Sequence, residues 1–208
     1  MKKNKTITIL AVFIFLLLIS ACAKKEIKNI DSNGKNIVCF GDSITFGYGV
    51  NVGEDFPSAL GKMVNMPVIN SGVDGDTSAQ GLKRIKSDVL DHNPLIVLIE
   101  FGGNDFTHKV PMDETINNIR EIVRLIQSKG SMTAIVDISA GLFMRDYRVR
   151  LSKLASETGS IFVPQALNRI ITNPSMKSDF MHPNIQGYKI VAERVHKAIS
   201  PYLGKIKK

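Results

Sequence analysis

The sequence predicts an α/β domain with a five-stranded parallel sheet flanked by helices, and three observations predict it. Short apolar runs alternate with segments of helical period along the chain. The run Ile96-Val97-Leu98-Ile99 is apolar without alternation, as expected of a strand covered on both faces. Four polar clusters follow strand runs, on the loops where open α/β sheets gather their functional groups.

Taken in order, the chain begins with Lys2, Lys3 and Lys5 ahead of a charge-free, largely apolar run from Ile7 to Ile19, closed by Ser20-Ala21 before Cys22. This pattern reads as a secretory signal over residues 1–21, because a spanning helix needs about 20 apolar residues and this run is shorter. Residues 22–35 read as a polar linker. Strands are expected at 36–41, 67–70, 94–101, 132–138 and 160–164. Leu82, Ile85 and Val89 share one face of a helix, and Ile116, Ile119, Val123 and Ile126 share one face of the next. A last helix is expected to begin near Pro183, with Tyr188, Val191, Val195 and Ile199 facing inward. The domain closes near residue 203, leaving a basic tail at 204–208.

Loss of the signal leaves 187 residues, one domain of ordinary size. The formal charge falls from +8 to +5, with both signs interspersed, so no nucleic-acid partner is expected. The short lysine runs at Lys24-Lys25 and at the C-terminus are read as solvated. Cys39 lies in the apolar run Ile37-Val38-Cys39-Phe40 and is expected to be a buried, small apolar residue.

The polar clusters are Gly41-Asp42-Ser43-Ile44-Thr45, the stretch Asn70 to Thr77 containing Asp74-Gly75-Asp76, Gly102-Gly103-Asn104-Asp105, and Asp179-Phe180-Met181-His182. Gly41 allows a sharp turn from strand into helix, which sets Ser43 at a helix N-terminus, where developing negative charge is favoured. A serine hydroxyl needs a base, and His182 is the candidate, with Asp179 three residues earlier to hold its tautomer. The N–H groups of Ser43 and Gly75 and the side-chain amide of Asn104 could supply an oxyanion site. His92, His108 and His196 have no comparable setting and read as surface or packing residues. Asp74 and Asp76 read as turn residues rather than metal ligands. Gly47, Gly49 and Gly53 miss the spacing of a dinucleotide fingerprint.

These four blocks, in this order, resemble the GDSL or SGNH hydrolases over residues 36–203, closest to the branch of bacterial thioesterase/lysophospholipases and arylesterases. The resemblance implies a flavodoxin-like three-layer α/β/α sandwich and hydrolysis of esters or thioesters without cofactor or metal. It makes Ser43 the nucleophile, Gly75 and Asn104 oxyanion residues, and Asp179 and His182 the remainder of the catalytic set. Ile44 stands where the family's tetrapeptide has leucine, a conservative change. The stretch Asp137 to Phe143 departs from the related substrate loop, which leaves the substrate open among lysophospholipid or simple lipid esters, short-chain or aryl esters, and O-acetyl groups on envelope polysaccharide.

Ile19-Ser20-Ala21-Cys22 resembles the lipobox of bacterial lipoproteins, which implies acylation of Cys22 and a membrane partner through that lipid, on the extracytoplasmic side of the cell envelope. The alternative is an ordinary signal peptide with a cysteine beside its cleavage site. A binding lipoprotein without activity is the rival from another class, and it gives no reason to keep Ser43, Gly75, Asn104 and His182 together.

Overall fold

The computed structural model describes residues 26–139 and 144–204. The signal segment, Cys22, residues 140–143 of the expected substrate loop and residues 205–208 lie outside the described residues. The elements are β1 (Ile37–Gly41), α1 (Ser43–Phe46), α2 (Phe56–Gly61), β2 (Val68–Gly72), α3 (Ser78–Asp88), β3 (Ile96–Glu100), α4 (Gly103–Thr107), α5 (Met112–Ser128), β4 (Met132–Val136), α6 (Arg145–Thr158), β5 (Ile161–Val163) and α7 (Ile185–Leu203).

All five strands pair in parallel, in the order β2-β1-β3-β4-β5. This is the doubly wound order of flavodoxin-like folds, and it places a topological switch point between the carboxyl ends of β1 and β3.

The strand period of two divides the core between the two faces. On β1, Ile37 and Cys39 join a cluster with Leu60 of α2 and Tyr188, Val191, Val195 and Ile199 of α7. Val38 and Phe40 join the opposite cluster with Ile85 of α3, Ile119 and Val123 of α5, and Leu151 and Leu154 of α6. Both faces are therefore covered, and β3, buried throughout, needs no polar alternation. Cys39 is a free thiol in the first cluster, and burial pushes its pKa up, as does the Asp55 charge. It is apolar packing, as its strand context predicts.

The last helix, strand β2 and the stretch read as a linker differ from the sequence expectation. The last helix starts at Ile185, because Asn184 is the N-cap, its Oδ1 accepting from Gly187 N at 3.1 Å. Pro183 instead forms an isolated bridge with Lys177. Strand β2 continues through Ser71 and Gly72, polar residues tolerated at a half-buried sheet edge.

The stretch read as a linker is docked. Ile27 and Ile30 pack against the α7-side cluster. Lys28 N donates to Gly159 O at 2.9 Å, and Asn29 Nδ2 donates to Gln127 O at 2.8 Å and Ser131 O at 3.0 Å. These partners precede β4 and β5, so residues 26–31 lie at the amino ends of the strands, the edge opposite the switch point.

Candidate active site

Ser43 leaves β1 at the switch point as the first residue of α1 and is nearly buried. Asp42 is the N-cap, its Oδ1 accepting from Ile44 N at 3.1 Å. Gly41 contributes by lacking a Cβ, not by unusual backbone angles: any side chain there would overlap Thr45 Oγ1 and Glu100.

The loop between β5 and α7 brings the base to the serine. Asp179 Oδ1 accepts from Met181 N at 2.7 Å and from His182 N at 2.8 Å, which winds Asp179-Phe180-Met181-His182 into one turn. Its other oxygen, Oδ2, stands 2.7 Å from His182 Nδ1. Partial burial raises the Asp179 carboxyl, but the hydrogen bonds from the His182 ring and the N–H groups of Met181 and His182 outweigh it and hold the group below the usual carboxylate range. An ionised acceptor beside Nδ1 keeps the proton on that nitrogen and leaves Nε2 bare. Nε2 lies 3.0 Å from Ser43 Oγ and can accept its hydrogen. The Tyr48 ring leans on the imidazole, with centroids 4.4 Å apart, and Tyr188 Oη donates to Tyr48 O at 3.0 Å to hold that segment.

Asn104 reaches the same place from α4, at the end of β3. Its Nδ2 donates to Asp76 O at 3.0 Å and, more weakly, to Asp42 Oδ2 at 3.3 Å. The next residue, Asp105, is wholly buried and accepts from Ser78 N at 2.9 Å and Ser78 Oγ at 2.5 Å, tying α4 to the start of α3. Gly75 occupies an exposed turn with φ +81°. It is not among the residues lining the cavity beside Ser43, and its neighbour Asp76 accepts from Asn104 Nδ2.

That cavity, of about 340 Å³, opens on Ser43, Asn104 and His182. Ile44, Phe106, Ile138, Met144, Leu167 and Phe180 are among its walls. The loop carrying Ile138 is fixed by the buried Asp137, which accepts from Ser139 N, Gln165 N and Arg148 Nε at 2.9, 3.0 and 3.2 Å. A larger cavity of about 650 Å³ lies at the opposite edge, around residues 26–31 and Gly159, and holds no nucleophile beside a base. His92 and His108 are exposed and His196 is half-buried on α7, all away from the cavity.

Two charged residues missed in the sequence support the nucleophile turn. Arg84 lies 4.5 Å over the Phe40 ring and donates to Gly41 O, Ser71 O and the carboxylates of Asp76 and Asp88, joining the ends of β1 and β2 to the turn around Gly75. Glu100, the last residue of β3, is wholly buried beneath Ser43. Its Oε2 accepts from Asp42 N at 3.3 Å, Thr45 N at 3.2 Å and Thr45 Oγ1 at 2.8 Å. The signal for Glu100 was a carboxylate closing an otherwise apolar strand.

Burial pushes the Asp42 carboxyl up to about 6. Burial, followed by the Asp42 charge, raises Glu100 well above its ordinary value. An unfolded aspartate releases its proton near 3.9. The Asp42 contribution to stability is therefore fully present below about 3.9 and is lost as pH rises through about 6. Asp42→Asn removes that titration. Its Tm relative to wild type should climb between about pH 4 and pH 7, and a series of thermal melts checks it; a pH-independent difference would contradict the burial argument.

The model of the GDSL-like Lipase/Acylhydrolase family matches residues 39–190. Thioesterase 1/protease 1/lysophospholipase L1 of Escherichia coli (strain K12) is 26% identical over 197 residues, covering 91% of each chain. The arylesterase of Vibrio mimicus is 27% identical over 211 residues, covering 95% of this chain and 100% of its own. The crystal structure of TesA matches the fold with a TM-score of 0.74 at 23% identity, over 81% of this chain and 99% of that one. A family model spanning most of the chain, and relatives matched over nearly their whole length, establish that this chain belongs to the GDSL-like lipase/acylhydrolase family and is an ester hydrolase of the SGNH type.

Proposed function

We propose that the protein cleaves carboxylic esters through an acyl-enzyme on Ser43. The observation that carries the reading is the relay from Asp179 through His182 to Ser43, with contacts of 2.7 and 3.0 Å, at the mouth of an apolar cavity. His182 Nε2 takes the Ser43 proton as Oγ bonds to the ester carbonyl carbon, and the carbonyl oxygen becomes the oxyanion. Asn104 Nδ2 and the Ser43 N–H at the start of α1 face that charge, with Gly75 N–H as the third donor of the set. Collapse breaks the bond to the leaving alkoxide, which takes the proton from His182. Water then attacks the acyl carbon, His182 accepts its proton, and the acid departs as Ser43 Oγ regains a hydrogen.

The apolar walls support an acyl chain as the part held in the cavity, at about 0.8 kcal/mol per buried CH₂. This favours lysophospholipid, simple lipid or aryl esters, with thioesters open to the same chemistry, and predicts rates that rise with acyl length until the cavity is filled. One observation favours the second reading, O-acetyl groups on envelope polysaccharide. Residues 26–31 are held at the sheet edge opposite the mouth. With a lipid on Cys22, the six residues from the anchor to Lys28 reach at most about 20 Å. The mouth then opens away from the membrane that holds the lipid, towards solutes and envelope polymers.

A fluorophosphonate probe on cells that produce the protein tests the nucleophile and the anchor together. The wild type should be labelled in the membrane fraction. Ser43→Ala and His182→Ala should lose the label, while Cys22→Ser should keep it and release the protein from the membrane. A folded wild type that stays unlabelled would sink the acyl-enzyme reading, and a Cys22→Ser protein still held in the membrane would sink the anchor.

A further inference from the structure

The buried carboxyl pair beneath the nucleophile turn has an arrangement that the relay does not use. Glu100 Oε2 is saturated with donors: the N–H of Asp42, the N–H of Thr45 and the Thr45 hydroxyl, at 3.3, 3.2 and 2.8 Å. Its other oxygen, Oε1, is buried with no hydrogen-bond partner among the described residues. A charged carboxylate would leave that oxygen buried without a donor, a costly arrangement. The Asp42 N–H sits on Glu100 Oε2, and the charge of the Asp42 carboxyl raises Glu100. That carboxyl is itself an acceptor, taking Ile44 N at 3.1 Å on Oδ1 and Asn104 Nδ2 at 3.3 Å on Oδ2. Two buried carboxyls this close do not both ionise. The donor set decides which keeps the proton: Asp42 caps a helix and receives an amide, whereas Glu100 has one oxygen with nothing to accept from.

We propose that Glu100 is a positioning residue: as a neutral acid it donates from Oε1 to the Asp42 carboxylate, and it clamps the nucleophile turn through Oε2. The proton changes what Asp42 can do. As the anion of a shared pair, Asp42 keeps both oxygens as acceptors, one holding the first turn of α1 under Ser43 and the other a second, weaker acceptor for the Asn104 amide that Asp76 O orients. Glu100 thereby acts on both Ser43 and Asn104 without touching substrate. The charged or titratable groups that bear on Asp42 are Glu100, Asp105 of α4, His182 and Tyr188 of α7, and Asp42 and Tyr188 are those that bear on Glu100; burial raises the Tyr188 hydroxyl, which stays neutral. Asp105 is already held by Ser78 and Thr115, which leaves the Glu100 proton as the device that neutralises this corner.

This inference rests on the acyl-enzyme reading, and the experiment separates the two. Glu100→Gln keeps the shape and places an amide N–H where the acid O–H stood, with its carbonyl oxygen towards Thr45. It should keep kcat within about threefold of wild type, whereas Glu100→Ala, with Asp42 left without its partner, should lose about tenfold or more in kcat with little change in KM. Raising pH removes the Glu100 proton, so the wild-type rate should fall in an alkaline limb that Glu100→Gln lacks. The infrared carbonyl band of a buried protonated carboxyl, present in the wild type at neutral pH, should vanish in Glu100→Gln. If Glu100→Gln folds and is as impaired as Glu100→Ala, or if that band is missing from the wild type, Glu100 is a charged structural residue and the proposal is overturned. If instead the wild type itself neither turns over esters nor takes the fluorophosphonate label, it is the acyl-enzyme reading that fails.

Discussion

Replacing Ser43 with alanine should lower kcat by roughly 10⁴–10⁶-fold, and the double replacement of Ser43 and His182 should lower it no further. The two groups act as a unit because a proton moves through the contact between them, Ser43 Oγ to His182 Nε2 at 3.0 Å. Remove the hydroxyl and the imidazole has no nucleophile to activate. Remove the imidazole and the hydroxyl keeps its proton at neutral pH. Independent contributions would multiply, so a complete cycle of two single variants and one double variant, assayed on one soluble aryl ester, tells the cases apart. Losses that multiply, or a Ser43→Ala protein retaining more than about a hundredth of the activity, would mean that water is activated without a covalent intermediate. KM should change little in all three variants, because the apolar walls at Ile44, Ile138 and Leu167 are untouched.

The acid side of the pH profile follows from the same geometry. Asp179 is held below the usual carboxylate range, so it stays ionised well into acid. The fall in kcat/KM on acidification should therefore carry no step from Asp179, whereas the Asp42 carboxyl, pushed up to about 6 by burial, gains its proton within that limb.

What could be read in the sequence divides by distance along the chain. The relay is local at its difficult step: Asp179 and His182 lie in one turn, so their spacing alone suggested the contact seen at 2.7 Å. The strands other than β2, which ends in Asn70-Ser71-Gly72, were legible as mainly apolar runs, although β3 was drawn too long. Pro94, Leu95 and Phe101 are buried like the strand but lie outside its ladder. The docked stretch at Ile27 and Ile30 was read as linker because two apolar residues among polar ones carry no periodicity, and their partners lie about a hundred residues away. The same reason hid the supports of the nucleophile. Glu100 is 58 residues from Asp42, and Arg84 is 43 from Gly41; only the pairing of β1 with β3 and the packing of α3 bring them together. Helix α6 was missed because its buried positions, Tyr147, Leu151, Leu154 and Ala155, are set among arginines and polar residues, a narrow stripe on a charged helix.

Replacing Asn104 with alanine should lower kcat by about 10²–10³-fold with KM nearly unchanged, the signature of a donor needed chiefly in the transition state. The amide has two hydrogens. One is fixed by Asp76 O at 3.0 Å, which sets the orientation of the group, and the other meets Asp42 Oδ2 at 3.3 Å, long for such a contact and therefore weakly engaged. The second hydrogen can be shared with a developing oxyanion at small cost, while the first keeps the amide from rotating away. Asn104→Asp makes the sharper comparison, since it is nearly isosteric but exchanges the donor for a third carboxyl beside Asp42 and Glu100. It should be at least as inactive as Asn104→Ala, and less so in acid, where protonation would restore a donor. Steady-state kinetics of the two variants on one ester, run across pH, provide the check. An Asn104→Ala protein within about fivefold of wild type would place oxyanion stabilisation on the backbone N–H groups of Ser43 and Gly75. The supporting contacts of Asn104 would then serve the fold of the α4 turn and not the chemistry.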